Sequence, residues 1–281
     1  MPFVHSAHFP IRHYECNADG DVHHANYLRY MQEAAFGGSA AVGYGAARYV
    51  EIGLQWLAYE TEVHYLQPLH YGDVLEIKTW VQDFRRVRSL RRYEFFRAGE
   101  MIAHASTDWV LLDMKTNYPT TIPQEIIDAY SQGDPVDQAD PRKPIPRLPP
   151  VPENAFTHSH AVEWRDIDGA QHVNNAIYLH YVSHCERLSL ASFNQSEPTL
   201  KFRTNNHLIE YKFPAMLGDE VKISTWIADV DGATLKRHFR VTRASDDKLL
   251  TRISAEQTLI NSTTHQPQPI SSEIQDRLHG N

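Results

Sequence analysis

The sequence predicts two consecutive α+β domains, in each of which an antiparallel sheet wraps one long helix. Three observations support this prediction. The chain has 281 residues, a length that suits two domains of ordinary size. Its middle, residues 131–152, is polar and rich in proline, as is typical of an extended linker. The sequence repeats one plan on the two sides of this linker, so the predicted domains are residues 1–130 and 153–281.

The repeat consists of matching segments that follow one another in the same order in both halves. The offset is 151 residues for the first pair of segments and about 146 to 148 for the later pairs, as expected if two domains of one plan differ in loop length. The matching pairs are residues 27–30 with 178–181, residues 72–74 with 218–220, and residues 105–113 with 253–261.

The hydrophobic pattern predicts the elements of the first domain in order. A strand at residues 9–14 and a turn at residues 15–24 precede a helix that starts near Asn26 and runs into the forties. Apolar residues recur at intervals of three and four along this helix, which marks one buried face, and the small residues from Gly37 onward allow close packing. Alternating segments rich in β-formers predict four more strands, at residues 61–66, 74–83, 90–97 and 103–112.

The second domain shows the same succession after its own turn at residues 166–178. A helix again follows the turn. The strands predicted after the helix are residues 207–212, 220–228, 234–242 and 250–260.

The composition argues against several classes of protein. A net charge of −8 disfavours a surface that binds nucleic acid broadly. The two cysteines, Cys16 and Cys185, give no disulfide framework, and histidine pairs such as His23-His24 lack partners at metal-ligand spacing, so no metal or other cofactor is expected. Neither a secretory signal nor a run of about 18 apolar residues occurs, so we expect a cytoplasmic protein that does not insert into membranes.

The turn at residues 166–178 carries the most informative set of reactive side chains. Asp168 is suited to act on a carbonyl as a base or a nucleophile, and His172 to polarise that carbonyl or orient water. The N–H groups near Asn174 and Asn175, at the predicted start of the helix, are candidates for holding an oxyanion. This combination is typical of acyl transfer.

The same residues also allow a purely structural interpretation. Asn174 or Asn175 could cap the helix, and Asp166 and Asp168 could bond the backbone of their own turn. His172 could be a half-buried histidine without a chemical role. Residue types and spacing alone leave both interpretations open.

The turn reads Asp-Ile-Asp-Gly-Ala-Gln-His-Val-Asn-Asn-Ala-Ile-Tyr and resembles the signature of hotdog thioesterases, both small acyl-CoA thioesterases and double-hotdog acyl-ACP thioesterases. In the first domain, residues 14–27 are similar to the turn of small acyl-CoA and 4-hydroxybenzoyl-CoA thioesterases, and residues 30–35 resemble the first domain of acyl-ACP thioesterases. The resemblance implies two tandem hotdog domains, each a long central helix wrapped by an antiparallel sheet. It also implies that they form an intramolecular pseudo-dimer, which binds an acyl thioester near its interface.

The resemblance assigns different roles to the two turns. The catalytic Asp of the family falls on Asp168 in the second domain and on Asn17 in the first. His24 lies where the small acyl-CoA thioesterases carry a functional His, and Asn175 occupies that position in the second domain. We therefore expect the active site in the second domain, and a degenerate or second site around Asn17 and His24.

Two departures from the family pattern concern the mechanism. The acyl-ACP thioesterases have a functional Asn where this chain has Ala170. Their later catalytic Glu/Cys pair falls near Pro214 and Ala215, neither of which can serve. The resemblance thus supports Asp168 and His172 as functional residues without implying an unchanged acyl-ACP thioesterase mechanism.

The basic residues are concentrated in one arginine-rich run that includes Arg85, Arg86 and Arg88. Clustered guanidinium groups suit the phosphates of CoA, or the phosphopantetheine and acidic surface of an acyl carrier protein. A solvated face of a hairpin is the other interpretation of this run.

The predicted function is hydrolysis of an acyl-CoA or acyl-ACP thioester to the free acid and the thiol. The thioester is the expected partner, and pseudo-dimers could associate further into a homo-oligomer. The alternative is a catalytically silent hotdog protein that binds acyl thioesters as a sensor or scaffold. A hotdog hydratase or dehydratase would need a His and Asp pair in a different local pattern, which this sequence does not show.

Overall fold

The computed structural model describes residues 2–131 and 145–279. Its contacts divide the chain into two compact units, Met1–Pro144 and Ile145–Asn281, which we call the first and the second unit. Most of the linker predicted at residues 131–152 falls on residues 132–144, which lie outside the described residues.

Among its described residues, the first unit has one long helix, two short helices and a five-stranded antiparallel sheet. The strands lie in the order β1-β3-β4-β5-β2, and a turn of 3-10 helix at His13–Glu15 connects β1 to the long helix. The elements are β1 (His5–Pro10), α1 (His24–Ala41), α2 (Ala46–Glu51), β2 (Leu54–Tyr65), β3 (Val74–Arg85), β4 (Arg88–Arg97), β5 (Glu100–Asp113) and α3 (Gln124–Ser131).

The second unit repeats this arrangement in the part of it that the structure describes. Its strands lie in the order β6-β8-β9-β10-β7, all neighbours being antiparallel, and a turn of 3-10 helix at Trp164–Asp166 precedes its long helix. The elements are β6 (Phe156–Ala161), α4 (Ile177–Ser189), α5 (Ala191–Ser196), β7 (Leu200–Tyr211), β8 (Glu220–Asp231), β9 (Thr234–Arg243), β10 (Leu249–Asn261) and α6 (Ser272–His279).

Each core lies between a long helix and the facing side of its sheet. In the first unit Tyr27 of α1 packs on Phe95 of β4, with ring centroids 5.7 Å apart, and Ile77 of β3 is completely buried. In the second unit Leu179 of α4 and Phe239 of β9 are buried in the same way. Removing these apolar side chains from water is the main favourable contribution to folding.

The small residues of α1 allow the close approach that the sequence predicts. A Cβ added at Gly37 would come within 2.7 Å of Nε2 of His5, and one at Gly38 within 3.2 Å of Nη1 of Arg91. A larger side chain at either position would have to displace the side chain of His5 or Arg91.

Three predicted strand positions are wrong in part. The strand expected at residues 9–14 is β1, which ends at Pro10 because proline has no N–H to donate to the sheet. The strands expected at residues 61–66 and 207–212 start earlier, at Leu54 and Leu200. The alternation is broken in the first half of β2 by the apolar run at residues 56–59, and in β7 by the polar run at residues 204–206.

The other predicted strands are confirmed to within a few residues, and so is the α+β class. No helix in the described part of the chain is both long and apolar enough to cross a membrane.

Candidate active site

The turn between the second 3-10 helix and α4 is closed by its own backbone. The N–H of Asp168 donates to the carbonyl of His172 at 3.1 Å, and the N–H of Gln171 donates to the carbonyl of Asp168 at 2.9 Å. Gln171 adopts a φ of 65°, in the left-handed region, which lets the chain reverse here. The N–H of Val173 donates to the carbonyl of Ala215 at 2.9 Å and fixes the turn to the segment before β8.

The carboxylate of Asp168 is half-buried and held by two hydrogen bonds. Oδ1 accepts the N–H of Ala170 at 2.9 Å, and Oδ2 accepts Nδ2 of Asn174 at 3.0 Å. The first of these bonds is the turn contact foreseen by the structural interpretation. The second ties the carboxylate to the residue that leads into the helix, so the side chain is held in one orientation.

Asn174 connects Asp168 to the start of α4. Its Nδ2 donates to Asp168, while its Oδ1 accepts the N–H of Ala176 at 3.0 Å. Its own N–H donates to the carbonyl of Asp166 at 2.9 Å, so this N–H is engaged within the turn. Of the N–H groups near Asn174 and Asn175 that we expected to hold an oxyanion, that of Asn174 is thus occupied by the carbonyl of Asp166, and α4 itself begins at Ile177, with Ala176 as its N-cap.

His172 and Asn175 flank this arrangement, and both are half-buried. Nδ1 of His172 lies 3.2 Å from the carbonyl oxygen of Val173. If Nδ1 carries the proton, it donates to that oxygen and leaves Nε2 as an acceptor. Within the described residues, a backbone hydrogen bond connects Asp168 to His172, and their side chains form no hydrogen bond with each other.

Asp166 has a structural role beneath the turn. It is buried, and its Oδ2 accepts the hydroxyl of Tyr181 at 2.7 Å and the N–H of Glu163 at 2.9 Å. Burial, together with the bond to Asp166, raises the pKa of Tyr181 above its usual range. Asp166 thereby fastens the start of the turn to α4.

The turn of the first unit has corresponding backbone and capping hydrogen bonds 151 residues earlier. Oδ1 of Asn17 accepts the N–H of Asp19 at 2.9 Å, and the N–H of Asn17 donates to the carbonyl of Asp21 at 2.8 Å. Nδ1 of His23 accepts the N–H of Ala25 at 3.1 Å, as Asn174 does for Ala176. Asn17 is therefore a neutral amide in the position that a carboxylate holds in the second unit.

The first turn contains two further contacts around its histidines. The ring of His24 packs on Tyr65, with centroids 4.4 Å apart. Asp21, in the position of His172, has its Oδ1 at 3.4 Å from Nδ1 of His70. This carboxylate and imidazole pair could not be predicted from the sequence, because His70 lies far along the chain, and the bond from Asn174 to Asp168 could not be predicted either.

The arginine-rich run lies on the β3–β4 hairpin. Nε of Arg85 pairs with Asp83 at 3.2 Å, and Nη1 of Arg88 pairs with the buried Asp108 at 3.0 Å. Arg86 is exposed at the hairpin turn. Since two of the three guanidinium groups already have carboxylate partners, the geometry favours a hairpin face over a phosphate site. No group of three or more potential metal ligands occurs within the described residues.

Two family models match the chain, one in each half. The model described as Acyl-ACP thioesterase N-terminal domain matches residues 2–130. The model described as Thioesterase-like superfamily matches residues 162–278, which include the whole Asp168 turn. Together they confirm the resemblance to thioesterases drawn from the two turns.

Several of the curated relatives are plant proteins of greater length. The chain is 29% identical over 192 residues to an acyl-[acyl-carrier-protein] hydrolase of Cuphea viscosissima, covering 64% of this chain and 46% of that protein. It is 28% identical over 192 residues to a palmitoyl-acyl carrier protein thioesterase of Arabidopsis thaliana, with the same coverage of both. The chain thus spans about half the length of these relatives.

Solved structures share the fold over most of the chain. The 12:0-ACP thioesterase of Umbellularia californica matches with a TM-score of 0.72 at 21% identity, covering 91% of this chain and 97% of that one. An acyl-ACP thioesterase of Bacteroides thetaiotaomicron matches with a TM-score of 0.72 at 18% identity, covering 90% and 97%. These matches establish a hotdog-like thioesterase fold.

Proposed function

Since both of its halves match thioesterase families, we propose that the protein hydrolyses an acyl thioester to the free acid and the thiol at the turn that carries Asp168. The observation that carries this proposal is the carboxylate of Asp168, held by the Ala170 N–H and the Asn174 amide at the start of α4. A fixed carboxylate needs little reorganisation as it reacts, and it retains lone pairs to accept a proton from water.

Asp168 acts on the thioester in one of two ways. As a base, it takes a proton from a water molecule whose oxygen attacks the carbonyl carbon. As a nucleophile, its own oxygen attacks, and water then cleaves the resulting anhydride. In both, the C–S bond breaks and the thiol leaves with a proton. With Nδ1 protonated, Nε2 of His172 accepts a hydrogen bond from the water and orients it. When both ring nitrogens carry protons, Nε2 donates to the carbonyl oxygen and polarises it.

The start of α4 stabilises the negative charge that develops on the carbonyl oxygen. Asn174 is a positioning residue that aligns the Asp168 carboxylate with this helix end. The carboxamide of Asn175 and the positive end of the helix dipole are the groups we assign to the oxyanion. In the first unit Asn17 supplies no base, so His24 and Asn17 form a degenerate site.

The carrier of the acyl group is CoA or acyl carrier protein. The relatives named above are an acyl-ACP hydrolase and acyl-ACP thioesterases, which favours the protein carrier. The carboxylate partners of Arg85 and Arg88 make these two residues weak candidates for binding the carrier's phosphates, and leave Arg86 as the better one.

We further propose that residues 1–130 and 153–281 pair as an intramolecular pseudo-dimer joined by residues 131–152. A compact chain of this length has a radius of gyration of about 19 Å, which small-angle scattering measures. A much larger value would contradict the pairing. Light scattering on the same sample tests for a homo-oligomer of pseudo-dimers.

The test of hydrolysis compares the wild-type protein with Asp168→Asn on acyl-CoA and acyl-ACP panels of increasing chain length. Loss of the base or nucleophile should lower the rate by about 100-fold to 10,000-fold. Asp19→Asn is the matched control, because Asp19 is exposed at the Ala170 position of the first turn, and it should keep wild-type activity. Undiminished hydrolysis by Asp168→Asn would refute the assignment. Binding without hydrolysis by the wild-type protein would instead support the silent sensor or scaffold.

A further inference from the structure

Each unit buries one arginine at the same position of its sheet. Arg91 of β4 pairs in register with Thr107 of β5, and Arg237 of β9 pairs with Ala255 of β10. Both arginines are about 95% buried or more. A buried guanidinium group normally has a carboxylate partner, because its charge is costly to remove from water.

In the second unit the charge of Arg237 is neutralised by the long helix. Nε of Arg237 lies 3.7 Å from Oε1 of Glu186 on α4 and donates to Oε1 of Gln257 at 3.1 Å. Gln257 in turn donates to Glu186 at 2.7 Å. The arginine, the glutamate and the glutamine therefore form one connected group.

In the first unit the long helix has no acidic residue at that position. Ala35 occupies the place of Glu186, at the offset of 151 that holds throughout the turn and helix. Among the described residues, the side chain of Arg91 makes one long hydrogen bond, from Nη1 to Oγ1 of Thr79 at 3.5 Å, and lies over the ring of Tyr130 at 5.4 Å. Four of its five N–H donors are not engaged in these contacts.

The surroundings of Arg91 are also more polar than those of Arg237. In the second unit the neighbouring core cluster contains only Leu, Ile and Phe side chains among its buried members. The corresponding cluster of the first unit includes Tyr49 and Tyr130. The hydroxyls of Tyr49 and Tyr93 and the indole N–H of Trp109 are buried with only loose contacts, since Tyr49 approaches Trp56 and Tyr130, and Tyr93 approaches Trp109 and Thr107, outside strict hydrogen-bond geometry. The hydroxyl of Tyr130 lies 2.5 Å from Oγ of Ser39.

The tyrosines near Arg91 remain neutral donors. Burial raises the pKa of Tyr93 to about 12, and the positive charge of Arg91 opposes this rise, which places the two groups close together. Burial also raises the pKa of Tyr49, with Arg91 again opposing. Neutral hydroxyls beside an uncompensated guanidinium group are the donors that an anion requires.

We propose that this Arg91 cluster, formed by Arg91, Tyr49, Tyr93, Tyr130 and Trp109, binds the carboxylate of an aliphatic acid. A single carboxylate balances one guanidinium charge and matches its planar fork. The apolar side chains packed on the cluster, among them Trp56, Phe84 and Ile127, suit an aliphatic chain attached to that carboxylate. The second unit lacks the site because Glu186 already neutralises the charge of Arg237.

Binding of octanoate to the full-length protein, measured by calorimetry, tests the proposal without requiring hydrolysis. Wild-type protein should bind octanoate at least tenfold more tightly than methyl octanoate, which has no charge. Arg91→Met and Ala35→Glu should each weaken octanoate binding at least tenfold. Arg92→Met is the matched control, since Arg92 is only half-buried and bonds Gln82, and it should bind as the wild type does.

Stability provides a second readout that is independent of the ligand. Ala35→Glu gives Arg91 the partner that Glu186 gives Arg237, so it should melt at a higher temperature than Ala35→Gln. This difference should vanish when Arg91→Met is added. The proposal is overturned if octanoate fails to bind the wild type, if it binds the Arg91→Met and Ala35→Glu proteins equally well, or if the Glu and Gln variants melt alike.

The carboxylate could belong to a free fatty acid or to the far end of an acyl group carried as a thioester. Hydrolysis of octanoyl-CoA and of the CoA monothioester of the eight-carbon diacid distinguishes these sources. A kcat/KM that favours the diacid thioester, and loses this preference in Ala35→Glu, assigns the site to the acyl group. Equal or lower kcat/KM for the diacid thioester, with octanoate binding as above, assigns it to the free acid.

Discussion

The carboxylate of Asp168 and the carboxamide of Asn174 are joined by a hydrogen bond of 3.0 Å, and the same carboxamide accepts the N–H of Ala176 at the start of α4. One side chain thus fixes both the reactive group and the helix end. In the first unit His23 caps the helix in the same way, while Asn17, at the position of Asp168, holds no charge. The difference between the two turns therefore lies in the charge at one position and the donor that orients it.

Replacing Asn174 by alanine should lower kcat more than it lowers stability. The variant loses the donor to Asp168, and we expect kcat to fall by about 10-fold to 100-fold, as is usual when a positioned group loses its alignment. Loss of the cap should cost about 1 kcal/mol in urea unfolding. Asn174→His is the control, since His23 caps α1, and it should recover stability but not kcat. Equal kcat for wild type and Asn174→Ala would contradict the positioning role.

The sequence predicts that Asp168 and Asn17 occupy equivalent positions in the two turns, because the offset of 151 residues is constant from the turn through the long helix. The capping contact of Asn174 was one of the two interpretations that its sequence position allows, but its bond to Asp168 could not be predicted, because it depends on how the turn folds back on the helix. The same holds for Arg91 and Arg237, whose surroundings differ in the residue that the long helix presents and in the tyrosines packed nearby. The start of β2 at Leu54 was missed because its sequence does not alternate.

Tyr181→Phe should destabilise the protein through the loss of one buried contact. The hydroxyl donates to Asp166 at 2.7 Å, and removing a hydrogen bond to a charged group costs about 1.5 to 3 kcal/mol. Urea unfolding followed by circular dichroism measures the change. Tyr118→Phe serves as the control, because Tyr118 is 74% exposed and its removal should leave stability unaltered. A Tyr181→Phe protein as stable as the wild type would mean that Asp166 is held by its other partners alone.

Stability should fall between pH 7.5 and pH 5.0 because of His207. Burial lowers the pKa of His207 to about 3 from an ordinary value of 6.5. Below pH 6.5 the unfolded chain takes up a proton that the folded chain does not, so the free energy of unfolding decreases as the pH drops. The loss at pH 5.0 amounts to about 2 kcal/mol at 1.36 kcal/mol per pH unit. His207→Gln should show a smaller decrease over the same interval, and equal decreases in both proteins would exclude His207 as the cause.

Glu186→Ala should recreate in the second unit the arrangement that Ala35 gives the first. Arg237 would keep its buried charge, and Gln257 would lose the carboxylate to which it donates. Breaking a buried pair from one side costs about 3 to 5 kcal/mol, because the remaining charge is uncompensated. Glu186→Gln keeps an acceptor for Gln257 and removes only the charge, so urea unfolding should place it between the wild type and Glu186→Ala. If Glu186→Ala instead unfolds at the wild-type urea concentration, Arg237 tolerates burial without a carboxylate, and the contrast with Arg91 loses its physical basis.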